Sequence, residues 1–339
     1  MMDYPEDAAR RLRWLRTLAG RMRDATLEAL RSESVARLAE PAGVRGGDLV
    51  YRLDERAEEP LLAGCAEWGR EEPFLLVAEG LEGGQRVFPA GAPADRLAFT
   101  LIVDPVDGTR GLMYAKRSAW ALFGVAPAPR PSFWPSLADI TLALQAELPT
   151  PRAALADTLW AVAGHGASGE TLALRDLTVT PFTPQPSGAT SLVGGFAGFA
   201  KYFPGVKART AAIEEAFFQE VMGPPPESAP QVFDDQYISS GGQLYELMVG
   251  HDRFVADIRP LFAALGIPAS LCAHPYDLCT ELIAREAGVV VCDPWGARLR
   301  APLDTGTPVA WVGYASEPLR AGLEPALQWS LREAGLSES

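Results

Sequence analysis

Residues 97–109 read Leu-Ala-Phe-Thr-Leu-Ile-Val-Asp-Pro-Val-Asp-Gly-Thr, an apolar run that ends directly on two aspartates. The stretch 97–103 is apolar enough to form a strand buried on both faces, ending in a turn at Asp104. A proline-constrained turn after such a strand can hold the Asp104 and Asp107 carboxylates toward one point, with the Val106 carbonyl free between them. Three hard oxygens then face one cation, and magnesium is held by a few such ligands together with waters and substrate phosphate. Gly108 lets the backbone come close to a ligand, and a helix starting at Thr109 would direct free N–H groups at a phosphate. The Thr109 hydroxyl is placed to hold a water. Taken alone, the hexapeptide also fits an ordinary Asp-Gly turn with Asp104 as a turn residue.

Upstream, apolar residues recur at spacings of three to five across residues 5–30, predicting an amphipathic helix with an arginine-rich outer face whose simplest reading is a solvated surface. The glycine pair at 46–47 breaks the chain before a short apolar run at 49–53 and a second helix over 55–68. A strand at 74–78 ends at Glu79 and a glycine-rich turn. Downstream come a proline-rich loop at 126–135, a strand or helix over 140–148, and a strand running into a glycine turn over 158–166. A polar, proline-containing stretch at 178–188 marks a lobe boundary, dividing the chain into lobes 1–183 and 184–339. The second lobe is predicted to hold a strand at 191–194, a helix over 208–221 closed by prolines 224–226, a helix over 241–250, a strand at 253–257, and a helix from 275 to Gly288 feeding a strand at 289–292.

The chain has 339 residues, 48% of them hydrophobic, which is enough for one large core or two modest ones. A formal charge of −13 disfavours nucleic acid, which needs clustered cations, and implies that an anionic substrate is drawn in by metal ions. Cys65, Cys272, Cys279 and Cys292 show neither zinc spacing nor a disulfide framework and read as reduced, buried thiols. The sequence holds no apolar stretch approaching the roughly 20 residues that span a bilayer, so no membrane association and a cytoplasmic location are expected.

The hexapeptide 104–109, preceded by Leu-Ala-Phe-Thr-Leu-Ile-Val, resembles the DP-(apolar)-DGT metal motif of the inositol monophosphatase superfamily. Further blocks agree in order. Glu79 looks like the first glutamate of the family's Gly-Glu-Glu element, and Gly-Asp-Leu-Val-Tyr-Arg-Leu-Asp at 47–54 resembles the element before its second helix. Residues 238–258 are similar to the Gly-Ser-Ala-Ala helix with its Gly-Arg-x-Asp ending, and residues 275–296 to the Trp-Asp helix followed by Glu-Ala-Gly-Gly and a strand. The likeness runs from about residue 5 to about 315. It departs at Gly80 in place of a second glutamate, at Tyr276 in place of tryptophan, and at Cys279-Thr280 in place of small residues. Thr109-Arg110-Gly111 resembles the form found in bisphosphate nucleotidases.

The resemblance implies an α/β fold of the sugar-phosphatase type, an αβαβα layered sandwich with two mixed sheets. It implies that Glu79, Asp104, Val106 (through its carbonyl), Asp107 and Asp277 bind two or three Mg2+ ions, with Mn2+ an alternative. Gly108 and Thr109 would then meet the phosphate, with Asp277 also at the substrate. Glu79, Thr109 and Asp104 would be catalytic, Glu79 with Thr109 aligning and deprotonating the attacking water. An aspartyl nucleophile is the weaker option, since a carboxylate ligating magnesium is a poor attacking group.

The implied activity is a phosphomonoesterase acting on a small phosphate ester, nominally inositol monophosphate, in a homodimer. The alternatives are a 3'(2'),5'-bisphosphate nucleotidase or fructose-1,6-bisphosphatase-like enzyme, favoured by a second phosphate pocket at Lys201, Tyr202 or Arg209, and an inactive metabolite-binding homologue. The basic cluster Lys201, Tyr202, Lys207 and Arg209 otherwise covers a helix. Asp234-Asp235 reads as a solvated pair or a ligand contact, and His165, His251 and His274 are given no role. Trp120, Trp134 and Trp160 read as core or lid residues.

Overall fold

The computed structural model describes residues 4–45, 48–224, 230–267 and 271–338; the glycine pair at 46–47 and prolines 225–226 lie outside them. The first half runs α1 (Glu6–Ser32), α2 (Val35–Leu38), β1 (Pro41–Arg45), β2 (Asp48–Tyr51), α3 (Arg52–Trp68), β3 (Phe74–Ala78), β4 (Gln85–Phe88), β5 (Phe99–Asp107), α4 (Thr109–Met113), β6 (Ala119–Pro127), β7 (Leu142–Leu148), β8 (Leu155–Val162), β9 (Ala167–Ala173) and β10 (Val179–Phe182). It continues with β11 (Gly195–Phe199), α5 (Lys207–Met222), β12 (Val232–Phe233), α6 (Ser240–Met248), β13 (Asp252–Asp257), α7 (Glu281–Ala287), β14 (Val290–Cys292), β15 (Trp311–Tyr314) and α8 (Glu317–Glu333).

Two mixed sheets result. The larger has the order β10-β9-β8-β7-β6-β5-β3-β4 and is antiparallel except for the β3/β5 pair. The smaller has the order β12-β11-β13-β15-β14, with β11 parallel to both β12 and β13. The period of two along a strand sorts β3 between two cores: Phe74, Leu76 and Ala78 join the layer under α1 and α3, while Leu75 and Val77 join the layer shared with the second half of the chain. Both faces of the large sheet are therefore covered, which is why the central strands are continuous apolar runs. The α-β layered fold expected from the sequence is the one observed.

Several local readings shift. β5 does not end at Val103 but continues through Asp107. The residues expected to open a long helix at 275 form turns instead, because Asp277 folds back to accept the His274 N–H (2.6 Å), and α7 starts only at Glu281. The strand expected at 191–194 lies at Gly195–Phe199, and the stretch read as a lobe boundary contains β10, paired with β9. The arginine face of α1 is laced to carboxylates rather than simply solvated: Arg11 meets Glu72 at 2.6 Å and Arg21 meets Glu67 at 2.9 Å. The proline-rich loop after β6 stands at the Phe99 end of β5, since Pro127 pairs with Phe99 and Trp120 with Asp107; it cannot close over the aspartates as a lid. Trp134, half-exposed there, donates to the Leu303 carbonyl (3.2 Å), whereas Trp120 is core.

Gly124, in the middle of β6, is where the turn carrying Asp277 presses on the sheet. A Cβ at this position would meet the Cys279 carbonyl oxygen at 2.9 Å, Ile140 Cδ1 at 2.9 Å and Ile102 Cγ2 at 3.0 Å. Gly124→Ala is expected to destabilise by about 1–3 kcal/mol through overpacking. Urea unfolding with an unchanged slope and a lowered midpoint is the expected result; an unchanged midpoint would show that the turn does not bear on the strand.

Candidate metal and phosphate site

The site lies beyond the carboxyl ends of the parallel pair β3/β5, the edge of a mixed sheet where ligands commonly sit. Ala78 pairs with Val103, so Glu79 and Asp104 follow the last paired residues of β3 and β5 side by side. In a regular strand, residues three apart point to opposite faces. Here the register against β6 slips between Asp104 (opposite Leu122) and Asp107 (opposite Trp120), so three steps on β5 answer two on β6. This bulge restores the parity and turns both aspartates to one side. Asp277 arrives from the second half of the chain, and one oxygen from each of Asp104, Asp107 and Asp277 lies within 4.8 Å of the others. Asp104 and Asp107 are buried and Asp277 is half-buried. Glu79 lines the same cleft without belonging to this tight group.

Each carboxylate is held. Asp104 Oδ1 accepts the Val106 N–H (2.9 Å). Asp107 Oδ2 accepts from Ser239 Oγ (2.8 Å) and from the Gly241 N–H (2.6 Å), so the start of α6 is bound to it; Ser239 Oγ also accepts from the Gly242 N–H as helix cap. A fully buried Gln145 donates to the Gly241 carbonyl (2.7 Å) and accepts from Thr280 Oγ1 (3.1 Å), tying the α6 start to the Asp277 turn. Tyr237 fixes the approach to this segment: its hydroxyl accepts from Trp120 Nε1 (2.9 Å) and donates to the Ser118 carbonyl (2.8 Å). Gly108 is left-handed (φ 102°), and a Cβ there would lie 3.2 Å from Ser239 Cβ, so only glycine fits without strain.

Burial, then the neighbouring charges of Glu79, Asp107 and Asp277, pushes Asp104 well above the usual carboxylate range. Burial, then Asp277, raises Asp107 to about 8, against the lowering effect of its bonds from Gly241 and Ser239. A cluster of this kind fits a hard divalent cation: the donors are all carboxylate oxygens, without sulfur or imidazole among the described members of the group, and a cation relieves their mutual repulsion. Asp104, Asp107 and Asp277 are the residues that would hold it, with Glu79 alongside. The Val106 carbonyl, expected to stand free, lies within hydrogen-bond reach of Thr109 Oγ1 (2.9 Å), which it shares with Asp54, and keeps a lone pair for a ligand.

Thr109 leads to a residue that the sequence reading passed over. Its Oγ1 also lies 2.7 Å from Asp54 Oδ1, while Asp54 Oδ2 accepts the Tyr51 N–H (2.8 Å) at the start of α3. Burial raises Asp54 to about 6. The sequence signal was present, since Asp54 closes the block 47–54, but an acid in the first turn of a helix is ordinarily read as a cap. Two other readings change. His274 lines the cleft, its N–H on Asp277 and its ring stacked on Tyr276. The basic cluster dissolves: Lys201 is paired with Glu214 (2.7 Å) and Asp234 (2.8 Å), Arg209 lies on a separate groove between α5 and α8, and of the four only Tyr202 lines the cleft. Asp235 pairs with Arg117. The four cysteines are free and buried, and among the described residues no helix is long and apolar enough to cross a membrane.

No family model matches the sequence, and no curated protein matches it. Solved structures do match, over nearly their whole length. Fructose-1,6-bisphosphatase of Leishmania major in its holo form is similar with a TM-score of 0.68 at 14% identity, covering 96% of this chain and 95% of that one. Extragenic suppressor protein suhB of Bartonella henselae gives 0.62 at 16%, covering 94% and 98%. An IMPase of Thermotoga maritima gives 0.58 at 15%, covering 95% and 99%. These likenesses show the fold: the chain has the layered α/β architecture of these three proteins.

The raised carboxylates set a sign for pH. Because Asp104 and Asp107 bind protons more tightly folded than unfolded, the stability of the metal-free protein should fall as pH rises from about 4 toward about 8, and added magnesium should restore it. Melting curves with and without Mg2+ should therefore diverge as pH rises. Asp104→Asn should raise the metal-free melting temperature by a few degrees, roughly 1 kcal/mol or more of relieved repulsion, and should abolish the magnesium response. A variant that melts lower and still responds to magnesium would refute the assignment.

Proposed function

We propose that this protein is a magnesium-dependent phosphomonoesterase of small phosphorylated metabolites that uses water as its nucleophile. The observation that carries the reading is the convergence of three carboxylates from both halves of the chain on one point, beside a threonine hydroxyl held by a buried carboxyl group. When bound, magnesium neutralises phosphate charge and makes a bound water a better nucleophile near neutral pH. The chain's own residues then have separable tasks. Asp104, Asp107 and Asp277 hold the cation, with Glu79 and the Val106 carbonyl as further ligands. Gly108 and Thr109 present backbone N–H groups to the phosphate at the start of α4.

Thr109 Oγ1 has one hydrogen and two acceptors within reach, the Asp54 carboxylate and the Val106 carbonyl. With Asp54 ionised, that hydrogen goes to Asp54 Oδ1, leaving an oxygen lone pair to accept from a water in the cleft. As the water attacks phosphorus and the ester P–O bond breaks, the water's proton passes to Thr109 Oγ1 and the threonine's own proton to Asp54, and the alkoxide leaves as the alcohol with a proton from solvent. A carboxyl group raised to about 6 is a suitable acceptor at neutral pH. Glu79 keeps its place as a ligand and as a second partner for the water.

Of the residues expected to favour the bisphosphatase alternative, Tyr202 lines the cleft, whereas Lys201 is neutralised by Glu214 and Asp234 and Arg209 is elsewhere. The test is release of inorganic phosphate from a panel of inositol, sugar and nucleotide phosphates, with magnesium and with chelator. Chelator-sensitive release is expected. Thr109→Ala and Asp54→Asn should each lower kcat by about a hundredfold or more with little change in magnesium affinity. Release from none of the esters would replace this reading with that of a noncatalytic metabolite-binding protein.

A further inference from the structure

Besides the carboxylates, the cleft is lined by Tyr202, Phe203, Ile238, Leu271 and Arg259. Ile238 and Leu271 expose 46% and 36% of their surface there, an unfavourable display of aliphatic side chains inside a concave site. Beside them the aromatic rings of Tyr202 and Phe203 are half-buried.

Arg259 would be the obvious anchor for a second anionic group on a substrate, and it is already engaged. Its Nε and Nη2 reach the two Asp257 carboxylate oxygens (2.7 and 2.5 Å) and its Nη1 donates to the Leu271 carbonyl (2.7 Å). The guanidinium carbon lies 4.9 Å from the Tyr202 ring centroid and 5.6 Å from that of Phe203, and the residue is only 4% exposed. Removing its carboxylate partner to admit a phosphate would break a buried bidentate pair. The other arginine among the described residues of the cleft, Arg110, lies over the Tyr51 ring, its charge acting on the Asp54 carboxylate. Among the described residues, six carboxylates line the cleft, those of Asp54, Glu58, Glu79, Asp104, Asp107 and Asp277. Tyr202, Phe203, Ile238 and Leu271 therefore offer a leaving group apolar and aromatic surface, and the arginine among them is engaged.

We infer that the enzyme selects monoesters whose alcohol is uncharged and presents an apolar ring face, which Ile238 and Phe203 cover, over esters that carry a second phosphate. The inference rests on the phosphatase reading but not on inositol as the substrate. Three probes that share a six-membered carbocycle and an alkyl leaving group test it without a change in intrinsic reactivity: cyclohexyl phosphate, inositol 1-phosphate and inositol 1,4-bisphosphate, each with saturating Mg2+.

Cyclohexyl phosphate should exceed both others in kcat/KM by about tenfold or more, chiefly through KM. In Ile238→Ser and Phe203→Ser the advantage should shrink to less than about threefold, as the apolar contact is lost. Ile238 is open enough to be replaced without disturbing the fold. Release from all three with the bisphosphate equal or preferred, or an advantage that survives both substitutions, would overturn this inference alone. Absence of release from all three would overturn the phosphatase reading and this inference with it.

Discussion

The mutual repulsion of Asp104, Asp107 and Asp277 is the constraint around which the rest of this molecule is arranged. Like charges brought within 4.8 Å under burial cost free energy that a water-filled surface would not exact, and they persist only where surrounding bonds over-determine their positions. The bulge at the end of β5 aims two of them to one side. Ser239 and Gly241 donate to Asp107 from the second half of the chain, and Gln145 links that same segment to the turn that delivers Asp277. The two sheets thus meet through a shared polar centre as well as through the apolar layer between them. A cation at this point would turn the costliest feature of the fold into one that holds its halves together.

Chemistry follows from what adjoins that centre. Thr109 opens α4 two residues after the second aspartate, so the backbone that positions the Asp107 carboxylate also positions the hydroxyl to which the proposed mechanism assigns the water. Asp54 reaches this hydroxyl from α3, whose packing under the large sheet is set by Leu53, Ala57 and Leu61. Beyond them the cleft changes character, from a ring of carboxylates to a wall of aromatic and aliphatic side chains around a neutralised arginine. If the proposed phosphatase reading holds, the carboxylates take the phosphate and the apolar side chains an uncharged alcohol.

What the sequence disclosed depended on how local the determining contacts were. The strand 74–78, the helix α1 and the pair Asp104/Asp107 were legible because apolar periodicity and a six-residue motif carry them. The bulge was not, since it is defined by pairing with β6, and neither was the role of Asp54, whose decisive partner is 55 residues away. The polar alternation of β9 and β10 is weak because both strands are partly exposed, so β10 was read as part of a lobe boundary. The partners of Lys201 were not legible either: Glu214 and Asp234 neutralise it only in three dimensions. Asp277 was found through resemblance to a family motif, although the helix expected around it is replaced by a turn that the Asp277 side chain itself shapes.

The central claim is that the three aspartates form a cation site spanning both halves of the chain, and crystals grown with manganese test it most directly. Anomalous diffraction should show a peak within coordination distance of the Asp104, Asp107 and Asp277 carboxylates, and the peak should vanish in Asp104→Asn. A manganese-saturated crystal with no peak between these carboxylates, or with its peaks only on surface acids, would contradict the account.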